Sequence, residues 1–191
     1  MASSEVSIAN IAMTLLGQQT IISLTDDSNR ANLANARFAD VRDAVLRTHL
    51  WNCATKRAAL SASATAPAWG YSTAYPLPVD FRRLASLSEL GIDYRIEGRQ
   101  LLTDASTINI LYIYRVEDVS VWDELLKQAV AARLAAELAL PITGSDSTAT
   151  LMWQLYEAKM NEAKYIDSVE GPTDLDIRPS SWIEQRATES L

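Results

Sequence analysis

Apolar residues recur at three- and four-residue spacing over four stretches of the chain, and the stretch between the second and third breaks that rhythm. Val6, Ala9, Met13 and Leu16 share one face of a helix. It starts at Ser3 or Ser4, where serine caps free N–H groups, and ends at Gly17, where glycine accepts left-handed backbone. Asp27 or Ser28 supplies the next cap. From there Leu33, Ala34, Phe38, Val41 and Val45 keep helical period to about Leu50, a helix of roughly 20 residues or ~30 Å. Helical period returns at Ser120, which reads with Asp123 as a capping-box variant. The run "AVAARLAAELAL" favours helix and is expected to stop at Pro141. A last helix is expected from about Asp146 to Val169, with Leu151, Leu155, Ala158 and Ile166 inward, before Gly171-Pro172 ends it.

Between Trp51 and Ser120 the pattern is that of strands and turns. "SASATAPAWG" cannot sustain a helix through Pro67. In "WGYSTAYPLPVDFRRL", Pro76 and Pro78 remove two ladder donors and push Tyr75 and Leu77 into extended geometry, so the segment is expected to run at an edge or as a covering strap. "DYRIEGRQLLT" alternates around Glu97-Gly98, a hairpin signal, and "TINILYIYRV" is the strongest strand pattern in the chain. With "FRRLASLS" these predict one small antiparallel sheet of about three or four strands.

The resulting fold class is mainly α with a β-rich insertion. Residues 1–50 and 120–170 form one discontinuous four-helix bundle, and 51–119 protrude as a small antiparallel sheet between helices two and three. Residues 171–191 show no period and read as an extended tail.

Composition narrows what such a body does. The chain has 191 residues, 48% hydrophobic and 21% charged, and a formal net charge of −7. That balance suits a folded protein and argues against binding by phosphate neutralisation. The charge is uneven: residues 117–170 hold ten acids and four bases, whereas 51–116 hold seven bases and five acids. No apolar run approaches the ~20 residues a spanning helix needs, and "MASSEVSIANIAM" lacks a basic leader, so a soluble cytoplasmic chain is expected. The single cysteine, Cys53, fits a reducing compartment and a small packed side chain.

Candidate chemistry is sparse. His49 and Cys53 stand four apart, but no oxyanion loop or orienting acid accompanies them, and they read as a helix-terminal histidine and a packed thiol. Asp26-Asp27 reads as a cap and Asp174/Asp176 as a short acidic cluster, neither continuing into a calcium-loop ligand series. No phosphate-cradling glycine loop, metal site or cofactor site is expected, and no enzymatic activity. Arg82-Arg83 beside Phe81 reads as a solvated strand face. Trp182-Ile183 lies in a segment without a core of its own and needs a surface to dock on.

The order of features resembles a family, the head-to-tail adaptor proteins (tail tubular protein A) of short-tailed double-stranded-DNA bacteriophages. The resemblance covers about residues 8–170. It lies in a short helix ending in Leu-Gly, then Ala-Asn-Ala on a long helix closing at Trp51, and then the Leu-Pro-x-Asp-x-x-Arg element of Leu77, Pro78, Asp80 and Arg83. Tyr94 to Gly98, the "YIYRV" strand and the Ala-rich helix follow in order. The resemblance implies a virion structural protein of the tail and neck, assembled in the host cytoplasm. It implies a dodecameric ring between portal protein and tail nozzle protein, through which DNA passes without specific binding, and no membrane contact. An acidic wall suits such a conduit because it repels phosphate. Trp69, Tyr71, Tyr75, Phe81, Arg178, Trp182 and Ile183 are the expected partner contacts. The other reading is a non-viral soluble helical protein-binding module.

Overall fold

The computed structural model describes residues 4–170, a mainly α fold with a β insertion. Helix α1 (Glu5–Leu15) is capped by Ser4, which exchanges hydrogen bonds with Ser7, and Gly17 follows its end with φ +66°. Ser28, not Asp27, caps α2 (Asn29–Thr48) by accepting from the Ala31 N–H. Asp26 instead closes the preceding link, accepting from the Ile22 and Ser23 N–H groups.

Helix α3 (Glu124–Thr143) begins at Asp123, which accepts from the Leu125 and Leu126 N–H groups. Ser120 sits one step earlier, in a short 3₁₀ turn, Val119–Val121. Pro141 lies inside the last turn of α3 and does not stop it. Near the end of a helix a proline forfeits a single backbone bond. Gly144 ends the helix instead, with φ +65° and its N–H donating to the Leu140 carbonyl.

Helix α4 (Asp146–Glu170) follows almost at once. Its buried positions are Met152, Tyr156, Met160, Ala163 and Asp167. The expected inward set is therefore displaced: Leu151 and Ala158 are exposed, and Leu155 and Ile166 only half-buried. The helices do not form a square bundle. Helix α3 is buried on almost every side by its alanines and leucines, and α1, α2 and α4 each pack on it while touching one another little. Small side chains let three helix backbones approach one.

The insertion holds two three-stranded antiparallel sheets rather than one. In the first, β6 (Ile108–Tyr114) lies between β1 (Thr55–Leu60) and β3 (Phe81–Leu87). The second places β5 (Gln100–Thr103) between β2 (Thr73–Pro76) and β4 (Tyr94–Glu97). Strand β1, "TKRAAL", has weak β preference of its own and is held by pairing with β6 along its whole length. Strand β2 is an edge strand, as Pro76 at its end requires. The β4–β5 hairpin turns at Gly98 and Arg99, both with positive φ, the signature of a two-residue I′ loop.

The sheets pack face to face. Tyr75, Leu77 and Leu101 from the second meet Ile108, Ile110 and Tyr112 from the first, in a core of their own. Ile113, on the opposite face of β6, belongs to the helical core. Strand β6 thus serves both cores through its two-residue alternation.

Candidate interaction surfaces

The chain enters the insertion just after α2 and leaves it just before α3, so the start of β1 and the end of β6 mark the base. Loops 61–72, 88–93 and 104–107 then lie at the far end. The base is stiffened by an ion cluster around Asp43 of α2. Its carboxylate accepts from Arg115 Nε at 3.0 Å, lies 3.0 Å from Arg82 Nη2, and accepts from Arg42 Nε at 3.0 Å. Arg82 is the bulged residue of β3, where the register skips from Phe81 to Arg83. A bulge re-aims a side chain. Here it sends Arg82 to α2, while Arg83 points to the Arg47 and Thr48 carbonyls, both at 3.4 Å. Both arginines therefore reach from insertion to body; Arg82 is withdrawn from solvent by the bulge, whereas Arg83 is exposed, as a solvated strand face requires.

Burial alone would push the Asp43 carboxyl up. The hydrogen bonds from Arg115 and Arg42 and the charges of Arg42 and Arg82 outweigh it and hold the group below the usual carboxylate range. A second cluster lies close by, where Asp80 accepts from Lys56 Nζ at 3.0 Å and from the Tyr112 hydroxyl at 3.1 Å.

The far end of α4 also meets the base. Asp167 lies 3.0 Å from His49 Nε2, and it accepts from the Asn52 backbone N–H at 3.1 Å and from the Asn52 side chain at 2.8 Å. His49 is further packed edge-on against Trp51. Burial, with the nearby Asp167 charge, pushes the Cys53 thiol up, against backbone hydrogen bonding from Asp123. A nucleophilic cysteine needs the reverse shift. His49 is engaged in tying α2 to α4.

Exposed apolar groups of the insertion lie both at the base, where Val79 is 92% exposed beside Asp80, and at the outer tip. Trp69 is 84% exposed and Leu90 73%. Their loops are linked by the Tyr71 hydroxyl donating to Asp93 at 3.4 Å, and the Ser72 N–H donates to Asp104 at 2.8 Å. Of the expected contact residues, Trp69 stands free at this tip and Tyr71 is half-buried beside it. Tyr75 does not belong to any surface. It is 1% exposed, with its hydroxyl donating to the Ala105 carbonyl at 2.8 Å, because β2 turns it into the inter-sheet core. Phe81 is likewise half-buried and stacks on Tyr112, with ring centroids 5.7 Å apart. Arg178, Trp182 and Ile183 lie outside the described residues.

The signals for Asp43, Arg42 and Arg115 were faint in the sequence, since single charges on a helix and at a strand end have no periodicity. Leu90, between Glu89 and Gly91, had only its turn setting. Among the described residues, no group of three or more His, Cys, Asp and Glu is placed to hold a metal, and no helix is long and apolar enough to cross a membrane. No protein-family model matches the chain, and no curated protein matches it.

Proposed function

We propose that the chain is a structural subunit of a bacteriophage neck, a head-to-tail adaptor that links portal to tail nozzle in a ring and continues the DNA channel. Two things support the reading: the resemblance in feature order over residues 8–170, and the build of the insertion. The observation that carries it is a two-sheet arm clamped to the helical body by the Asp43 cluster, with Trp69 and Leu90 bare at its far end. An exposed tryptophan at the tip of a rigid arm suits an anchor that enters a pocket on another subunit. The net negative charge suits passage of DNA without adhesion. In this reading the tip contacts portal, nozzle or neighbour, and His49 and Cys53 have no chemical role.

The test is deletion of the gene in a phage that carries it. Heads that fill with DNA but lack tails, and that regain tails when the purified chain is added, are the expected result. Infectious tailed particles formed without the chain would overturn the proposal and leave the protein-binding module.

A further inference from the structure

The two sheets of the insertion expose four edge strands, and three of them are guarded against a further strand. On β2 the Ala74 carbonyl accepts from the Ser63 N–H at 2.7 Å, and Pro76 has no N–H to offer. Strand β3 is bulged twice. Strand β1 carries Lys56 and Arg57 with no acid, so pairing with a second copy brings only like charges together. Strand β4 is exposed at all four residues and pairs with β5 without a bulge.

The register fixes which way the backbone of β4 points. Because the Ala74 carbonyl faces out to Ser63, Tyr75 faces β5 and its register partner Leu101. Alternate residues of a strand bond to opposite sides, so Gln100 and Leu102 face β4, and Glu97 and Arg95 face back to them. The N–H and C=O groups of Tyr94 and Ile96 therefore point outward, away from any described strand. The side chains of Tyr94 and Ile96 share the inter-sheet face with their partners Thr103 and Leu101, yet remain 42% and 41% exposed. Arg95 and Glu97 stand on the opposite face as an ion pair of 3.2 Å.

A twofold axis sets β4 antiparallel to its own copy. With Tyr94 and Ile96 bonding outward, two registers join three residues of each strand, one centred on Arg95 and one on Ile96. The first sets Arg95 against Arg95 and Asp93 against Glu97, all like charges. The second sets Arg95 of each copy opposite Glu97 of the other, and Ile96 against Ile96 at the margin of the core that holds Leu101. Charge selects the second.

We propose that β4 is a homotypic docking edge through which two copies of the chain pair antiparallel about Ile96, joining two three-stranded sheets into one of six strands. The Ile96 N–H of each copy donates to the Ile96 carbonyl of the other, and Arg95 and Glu97 form crossed ion pairs on the outer face. Strands this short bury well under the ~1,200 Å² of a stable interface, so the pair is weak, half-formed at about 0.1–1 mM chain. A twofold pair closes on itself and supplies no ring contact, so it is independent of the adaptor reading and belongs to the free chain.

Sedimentation of the full-length chain from about 10 µM to about 1 mM tests the pairing. Arg95→Glu and Glu97→Arg each set like charges opposite one another and should weaken self-association about tenfold. Carried together in one chain they make the charges opposite again and should restore it, and the two single variants, mixed, should pair with each other. Ile96→Pro removes an N–H that β5 does not use, so the fold should persist while the pair is lost. In the wild type, exchange of the Ile96 amide should slow at least about threefold across the concentration range, while the Arg95 and Glu97 amides, already bonded to β5, keep their rates. A wild type still monomeric at about 1 mM would overturn the proposal, as would self-association that both single charge variants leave intact. Association abolished by Trp69→Ser but not by Ile96→Pro would assign the contact to the outer tip and overturn the β4 pairing.

Discussion

Replacing Asp43 by alanine removes the one carboxylate shared by three guanidinium groups and tests whether arm and body are clamped. The side chain of Asp43 is 21% exposed, that of Arg42 6% and that of Arg82 14%, whereas Arg115 is 40% exposed. Taking one partner from a buried pair costs about 3–5 kcal/mol, because the other charge stays buried. Arg115 adds little to this, being partly in water. Glu5 at 3.7 Å and Glu117 at 4.0 Å from Arg42 retain part of the compensation. The expected loss is therefore about 2–4 kcal/mol. At about 2–4 °C per kcal/mol for a chain of this size, the variant melts roughly 5–15 °C lower.

The dependence on pH has a definite sign. The folded Asp43 carboxyl titrates below its unfolded value, so on acidification the unfolded chain takes up the proton first. Its contribution is fully present above the ordinary carboxylate pKa of about 4 and is lost as pH falls through the lower folded value. Denaturant unfolding of wild type and Asp43→Ala from neutral pH downward measures this, with exposed Asp40→Ala as the control. The wild-type advantage should be largest near neutrality and shrink once the solution is more acidic than the ordinary carboxylate range. A difference under about 1 kcal/mol at neutral pH, or one undiminished at about pH 2, would refute the clamp.

Three further outcomes follow from individual side chains. Tyr75→Phe should cost about 1 kcal/mol by leaving the Ala105 carbonyl without its donor, while Tyr75→Ala should cost about 3–5 kcal/mol by emptying the inter-sheet core, both read by chemical denaturation. Cys53 should react with iodoacetamide more slowly than free cysteine at mildly alkaline pH, because burial raises its pKa, and mass spectrometry of the alkylated chain measures the rate. Trp69→Ser should leave the melting temperature within about 2 °C, the side chain being 84% exposed, yet reduce recovery of tailed particles in the complementation experiment.

The elements legible in the sequence were those whose signal is local. Ser4 and Ser28 cap because a hydroxyl beside a free N–H needs no tertiary partner, and Glu97-Gly98 turns because glycine tolerates positive φ. Strand β6 carries its β-branched and aromatic residues openly. Strand β1 does not, since "TKRAAL" becomes a strand by pairing with β6 across about fifty residues of chain, a contact that no window along the sequence contains. The same gap hid the division into two sheets, which is decided by which strands find each other. It also hid the Asp43 cluster, assembled from a helix, a bulge and a strand end. Tyr75 was drawn to the surface by its aromatic, proline-flanked setting, although an edge strand still has one face turned to a core.

Helix α4 shows most clearly why period alone did not choose the buried face. Leu151, Leu155 and Ala158 recur at four and three residues, and so do Met152, Tyr156, Met160 and Ala163. The helix therefore has two apolar stripes separated by more than a quarter turn, and local hydrophobicity slightly favours the first. What decides is the partner: α4 packs on α3, whose buried residues are largely alanines, and small residues take long, adaptable methionines and a tyrosine better than branched leucines. Asp167 then fixes the rotation, because only with the second stripe inward does its carboxylate reach both His49 and the Asn52 backbone. Losing that carboxylate in Asp167→Ala would leave the Asn52 N–H without its acceptor, and the expected cost is about 1–3 kcal/mol.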